Sequence, residues 1–246
     1  MGFFAVLKGS FAELRKNPLL FLPKMISVTI WLIPYILLMQ SAKVDLLRAT
    51  VSQETLLYTA LIFILSPLWL IIDSMYPVLV LQQKKKKRLD FSAALRHVLG
   101  RLLQLLAFLL LLVVATTICF LPFAALLALG LALAFLPLIM LGILGTAVLV
   151  FIGGIALYFV PTSVILEKAG FAESFRTGFT LAQKNFSEVF WLTLISFLFL
   201  VFAFALEGTL GELGFAGFIV GRYLGGIVTV YLYVVNPTAY LAARKK

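Results

Sequence analysis

The sequence predicts an all-α integral membrane protein, and three observations carry that prediction. Of its 246 residues, 63% are hydrophobic and only 12% are charged. A soluble domain needs about 25% charged residues to cover its surface. Not one Asp, Glu, Lys or Arg occurs between Arg101 and Glu167, a run long enough for at least two crossings at about 20 residues each. The apolar runs are rich in Leu, Ala and Phe and lack strand-like alternation, so spanning helices are favoured over a barrel. A mean hydropathy of +1.13 agrees.

Hydrophobic runs between polar breaks give six spans, at roughly 18–40, 56–82, 102–124, 143–166, 186–206 and 217–241. Pro34, Pro67, Pro77, Pro137, Pro161 and Pro237 fall in or beside them. A bilayer tolerates such kinks where neighbouring helices satisfy the freed carbonyls. Allotting about 23 residues to the third and fourth spans leaves "ALLALGLALAFLPLIMLG" (125–142), nearly long enough to cross again. A seventh crossing would put the later basic segments on the opposite side from the earlier ones. Overlong, tilted helices meeting at an outer hairpin are therefore expected.

Basic residues set the orientation. With both termini cytoplasmic, only Lys43, Arg48 and Arg222 of the 20 Lys and Arg fall outside, which is the positive-inside signature of the cell membrane. The same bias accounts for the net charge of +10 without a nucleic-acid partner. No cleavable signal pattern opens the chain, because "MGFFAVLKGSFAELRKNP" is amphipathic. Val6 stands where a myristoylation signal needs Ser or Thr.

The sequence also repeats itself. "GFFAVLKGSFAELRKN" (2–17) aligns without gaps on "GFAESFRTGFTLAQKN" (170–185), and "DFSAALRHVLGRL" is a weaker third copy. Each copy precedes an odd-numbered span. In the even-numbered spans Pro77, Pro161 and Pro237 each stand seven residues before a basic residue, namely Lys84, Lys168 and Arg244. One polytopic domain, 1–246, is thus expected to be built from three units at about 3–84, 91–168 and 171–244, with three cytoplasmic interfacial helices. In the copy at 170–185 Phe171, Phe175, Phe179 and Ala182 share a helical face, with Glu173, Arg176, Thr177, Gln183 and Lys184 around the rest. Such a helix lies in the interface, Phe side in the acyl boundary and basic side on anionic headgroups. Candidate headgroup residues are Lys8, Arg15, Lys16, Lys84, Lys85, Lys86, Lys87, Arg88, Arg96, Arg176 and Lys184. The bland alternative is that these segments merely anchor the spans they precede.

Charges at membrane depth are the default functional candidates. Asp73 lies eleven residues before Lys84, about 16 Å along a helix from the inner surface. The matching positions are Leu157 and Tyr233. Lys24 is equally unmatched, and the two are expected to face one another or a shared wet cavity. In the last span Arg222, Gly226, Thr229, Tyr233, Asn236 and Tyr240 form one polar stripe, beside a small-residue face of Gly217, Gly221 and Gly225. That stripe either bonds neighbouring helices or lines a path for a headgroup or solute. Arg222 with Glu207 and Glu212 is expected to form an outer-face ion cluster.

Enzymatic signatures are missing. There is no HExxH, no GxSxG, no phosphate-binding loop and no pair of acids within one span. His97 and Cys119 are the only residues of their kinds, so a nucleophile–base pair, an intrachain disulfide and a thiolate metal cluster are not expected. No cofactor is expected either.

One stretch resembles a known family. Pro161, Glu167, Lys168, Gly170, Glu173, Leu181, Asn185, Phe186 and Val189, with "RKNPLLFLP" near the start, are similar to polytopic membrane proteins of bacteria and archaea. Among these is the membrane domain attached to some glycerophosphodiester phosphodiesterases. Gly178 departs from the pattern, which has serine there. The resemblance implies a membrane module, and it does not carry the phosphodiesterase activity over, since these 246 residues contain no hydrolase domain. The function expected is a non-enzymatic module organising anionic lipids or a protein partner at the cytoplasmic face. The alternative is a transporter, channel or lipid-translocating protein using Asp73 and the polar stripe.

Overall fold

The computed structural model describes residues 2–41 and 53–245. The expected first outer connector, with Lys43 and Arg48, lies outside the described residues, as does Lys246. Among the described residues every regular element is a helix. These are α1 (Phe3–Lys16), α2 (Leu22–Ser41), α3 (Gln53–Asp73), α4 (Tyr76–Lys84), α5 (Phe91–Leu99) and α6 (Leu102–Ala132). They continue as α7 (Leu136–Leu157), α8 (Val160–Leu166), α9 (Phe171–Lys184), α10 (Phe186–Gly211) and α11 (Phe215–Ala243). A 3-10 turn, Pro18–Phe21, leads into α2.

Among the described residues five helical stretches are long and apolar enough to cross a membrane, and there are six if α1 and 18–34, bent by 101° at Asn17, count together. Large apolar side chains such as Leu103, Leu110, Ile118, Leu121, Phe202 and Phe204 are exposed along them. With no polar partner available to that surface, lipid is its solvent. The protein is an all-α, membrane-embedded chain.

Prolines decide where two of these stretches break. A proline ring clashes with the carbonyl four residues before it and offers no N–H. Pro77 thereby ends α3 at Asp73, and Pro161 ends α7 at Leu157, each followed by a two-residue break and a short helix with proline at its second position. Pro34, Pro67 and Pro237 instead sit inside continuous helices.

The 125–142 interval does not form a helix of its own. It is divided between α6 and α7, which reverse at 133–135. A Cβ on Gly142 would stand 3.0 Å from Leu127 N, and one on Gly130 would stand 2.7 Å from Ile139 N. The two backbones therefore touch along an antiparallel hairpin.

The chain divides into two compact units. One comprises 1–6, 100–197 and 239–246, and the other 7–99 and 198–238. In the first, α9 packs on α8 through its smallest side chains: Ser174, Gly178 and Ala182 are buried. A Cβ on Gly178 would lie 2.7 Å from Val160 Cα, so a larger residue has no room here. Phe171, Phe175 and Phe179 stack on one another along the neighbouring, half-exposed face. Ala182, grouped with these phenylalanines by spacing, belongs to the packed face instead.

In the second unit α11 approaches α10 and α2 on two different faces. A Cβ on Gly221 would meet Glu207 Cα at 3.0 Å, and one on Gly226 would meet Val28 Cγ2 at 2.9 Å. The small-residue face thus serves close packing against α10. Gly226 of the polar stripe serves the same purpose against α2.

Candidate functional site

The second unit holds a buried polar cluster. Lys24 stands in the first turn of α2 and Asp73 at the last residue of α3, where Pro77 ends the helix. Both are buried, at 7% and 8% exposure. Lys24 Nζ donates to Asp73 Oδ2 at 2.7 Å and to the Tyr233 hydroxyl at 3.3 Å. The same ammonium lies 4.4 Å from the Tyr233 ring centroid and 5.7 Å from that of Trp69. Tyr76 stacks on Tyr233 at 5.2 Å and donates its hydroxyl to the Leu20 carbonyl at 2.9 Å.

The logic of this cluster is charge neutralisation. An isolated ion in a medium of low dielectric constant is prohibitively costly, and it is retained only when paired and further hydrogen-bonded. The ammonium is compensated by a carboxylate, a phenol and two aromatic faces. The carboxylate is less fully served, because Asp73 Oδ1 is buried without a hydrogen-bond partner.

A second ion pair lies further along α11. Arg222 donates to Glu207 Oε2 at 2.6 Å, and its guanidinium covers the Trp31 ring at 3.9 Å. Tyr223 and Thr29 share a hydrogen bond of 2.7 Å nearby. The expected outer-face cluster is therefore a pair, since Glu212 stands exposed in the turn after α10. Arg222 and Tyr233 are eleven residues apart, which separates the two ion pairs by about 16 Å along the helix.

The rest of the stripe does not converge. Thr229 bonds back to the Gly226 carbonyl of its own helix at 2.9 Å. Asn236 is half-buried. Tyr240 belongs to the first unit, where its hydroxyl meets Glu167 and, at 3.4 Å, Ser163 Oγ. Arg244 completes that group with a 3.0 Å bond to Glu167. Spacing alone groups residues that the fold assigns to three separate sites.

Trp69, Tyr76 and Trp31 escaped the sequence reading. Trp69 precedes Asp73 by four residues and so shares its helical face, a signal that was available. Tyr76 lies beyond the break, where helical spacing no longer applies.

The candidate headgroup residues Lys8, Arg15, Lys16, Lys84 to Arg88, Arg96, Arg176 and Lys184 are all exposed. They lie on or beside α1, α5 and α9, at the end of α4 (Lys84) or in the loop that follows it. Lys84 also reaches the Thr238 carbonyl at 3.5 Å. Among the described residues no group of three His, Cys, Asp or Glu could hold a metal ion.

No protein-family model, curated protein or solved structure matches this chain.

Proposed function

We infer that the chain is a non-enzymatic, multi-pass membrane module that gathers anionic lipids, and through them a partner protein, at the cytoplasmic face. It crosses the cell membrane six times as three copies of one unit, at about 3–84, 91–168 and 171–244, with both termini inside. The observation that carries this reading is the common exposure pattern of α1, α5 and α9. Each buries side chains at matching positions, Val6, Ala94 and Ser174, then Ser10, Val98 and Gly178. Each turns basic residues outward beside exposed or half-exposed phenylalanines and leucines. Helices of that make sit in the interface and attract acidic headgroups. The resemblance to a membrane domain that accompanies phosphodiesterases fits a module of this kind.

Two measurements test it. Purified protein offered equal phosphatidylglycerol and phosphatidylcholine is expected to retain the anionic lipid preferentially by native mass spectrometry, and equal retention overturns the reading. A cysteine at Phe135, in a Cys119→Ala background, is expected to label only from outside. Labelling from the inner face overturns the six-span arrangement.

Transport or lipid translocation is the second reading, favoured by the unpartnered Asp73 Oδ1 at membrane depth. It requires flux into proteoliposomes that Asp73→Asn abolishes without loss of folding. Flux equal to that of protein-free vesicles rejects it.

A further inference from the structure

One hydrogen bond merges two basic segments that are far apart in the chain. Gln83, in the last turn of α4, donates Nε2 to the Glu13 carbonyl near the end of α1 at 2.9 Å. Arg15 and Lys16 are thereby set beside the run that begins at Lys84. The loop carrying that run is closed at its base. Gln82 Oε1 accepts the Asp90 N–H at 2.9 Å, and Gln82 Nε2 donates to the Asp90 carbonyl at 3.3 Å. Lys86 adopts the left-handed conformation, with φ of 55°, and Lys87 N returns to Gln82 O at 3.0 Å.

Arg15, Lys16, Lys85, Lys86, Lys87 and Arg88 are all exposed, and the Gln83–Glu13 bond draws together the two helix ends from which they project. The acids nearby are Glu13 and Asp90, and the Asp90 carboxylate is already engaged by the Ala93 N–H at 2.8 Å. Just past Lys16 the chain turns by 101°. That elbow leaves Leu19, Leu22 and Ile26 exposed at the start of α2. A dense cationic patch bordered by an apolar strip matches an amphiphile, because a soluble anion would make no use of the strip.

We propose that this first elbow is a specific site for a membrane lipid whose headgroup carries two phosphates. One phosphate lies on Arg15 and Lys16, the other on the Lys85–Arg88 loop, and the acyl chains run along Leu19, Leu22 and Ile26. Two cationic segments on separate elements are spanned by a two-phosphate headgroup and only half engaged by a single phosphate. The corresponding end of the first unit is not built this way. There Arg244 is bound by Glu167 at 3.0 Å, and Arg176 and Lys184 are eight residues, about 12 Å, apart on α9. The proposal rests on the lipid-gathering reading above and adds a particular place and headgroup to it.

Native mass spectrometry of the full chain, with cardiolipin as the two-phosphate probe and phosphatidylglycerol at equal total charge, tests it. Cardiolipin is expected to be retained about tenfold better. At about 1 kcal/mol per basic residue, Arg15→Gln/Lys16→Gln and Lys85→Gln/Lys87→Gln are each expected to lower its retention about thirtyfold. Lys168→Gln/Lys245→Gln, an equal loss of charge elsewhere, is expected to cost less than twofold. Gln83→Leu changes no charge and is expected to remove the two-phosphate preference while leaving phosphatidylglycerol retention intact, in protein whose melting temperature shows it folded. Equal losses from all three pairs overturn the site and leave general lipid gathering standing. Displacement of cardiolipin by millimolar pyrophosphate overturns it in favour of a soluble ligand. No preference for any anionic lipid over phosphatidylcholine overturns both readings.

Discussion

The two compact units solve the same problem by different means. The unit formed by 7–99 and 198–238 keeps two ion pairs within its helices, Lys24 with Asp73 and Arg222 with Glu207. The unit formed by 1–6, 100–197 and 239–246 has no charged residue from 102 to 166. Its ion pair, Glu167 with Arg244, lies at helix ends. Its buried polar groups, among them Ser163, Ser174 and Thr193, are uncharged. The contrast teaches that helices associate in lipid without an ion pair among them. A buried ion pair inside one unit therefore calls for a reason of its own, in register or in function.

The largest test of this contrast is to break the polar core. Asp73→Leu leaves Lys24 buried without its counter-ion and is expected to cost about 3–5 kcal/mol. Lys24→Met/Asp73→Leu together are expected to recover most of that. Unfolding followed in detergent micelles reads both, and a double variant no better than Asp73→Leu would show that the carboxylate acts through something other than the pair. In the apolar unit the equivalent stress is steric. Gly178→Ala drives a methyl into the Val160 backbone and is expected to cost about 1–3 kcal/mol. Gly226→Ala meets side-chain ends, Val28 Cγ2 at 2.9 Å and Met25 Cε at 3.3 Å, and is expected to cost less in the same assay. Arg222→Met removes a bond to Glu207 and a stack on Trp31, for an expected loss of about 2 kcal/mol.

The smallest effects concern helix ends. Lys86 and Ala134 both occupy the left-handed position of a helix terminus, where glycine is the usual residue. Lys86→Gly and Ala134→Gly are each expected to raise stability by about 1 kcal/mol. A gain at Ala134 with a loss at Lys86 would mean that the lysine side chain holds the loop.

Much of the helical layout was legible because its signals are local. Charge-free runs, amphipathic repeats and proline positions mark α2, α9 and α11 within a few residues, and they mark the start of α6, which runs on to Ala132 beyond the expected end at 124. Proline also marks why α3 stops at Asp73. The pairing of Lys24 with Asp73 was readable because an ion in lipid has few alternatives to another ion. What spacing cannot give is rotation about the helix axis between neighbours. The stripe on α11 reads as one surface, yet Gly226 faces α2, Tyr233 joins Lys24 and Tyr240 joins Glu167. Likewise the packed face of α9 is built from Ser174, Gly178 and Ala182 rather than its phenylalanines. Hydrophobicity marks which surface leaves water, and in a membrane that is a different question from which surface meets protein.

The hairpin of α6 and α7 has a consequence for the surrounding lipid. Thirty-one residues of α6 rise about 46 Å, against a hydrocarbon thickness of about 30 Å. Leaning alone would need about 50°, beyond the usual range of helix inclinations. The excess is taken up by a bend at Pro122 inside α6, by helix ends that enter the headgroup layer, or by local thickening of the bilayer. To the extent that the bilayer thickens, such a hairpin favours thicker membranes over thinner ones and draws together inclusions that share the distortion.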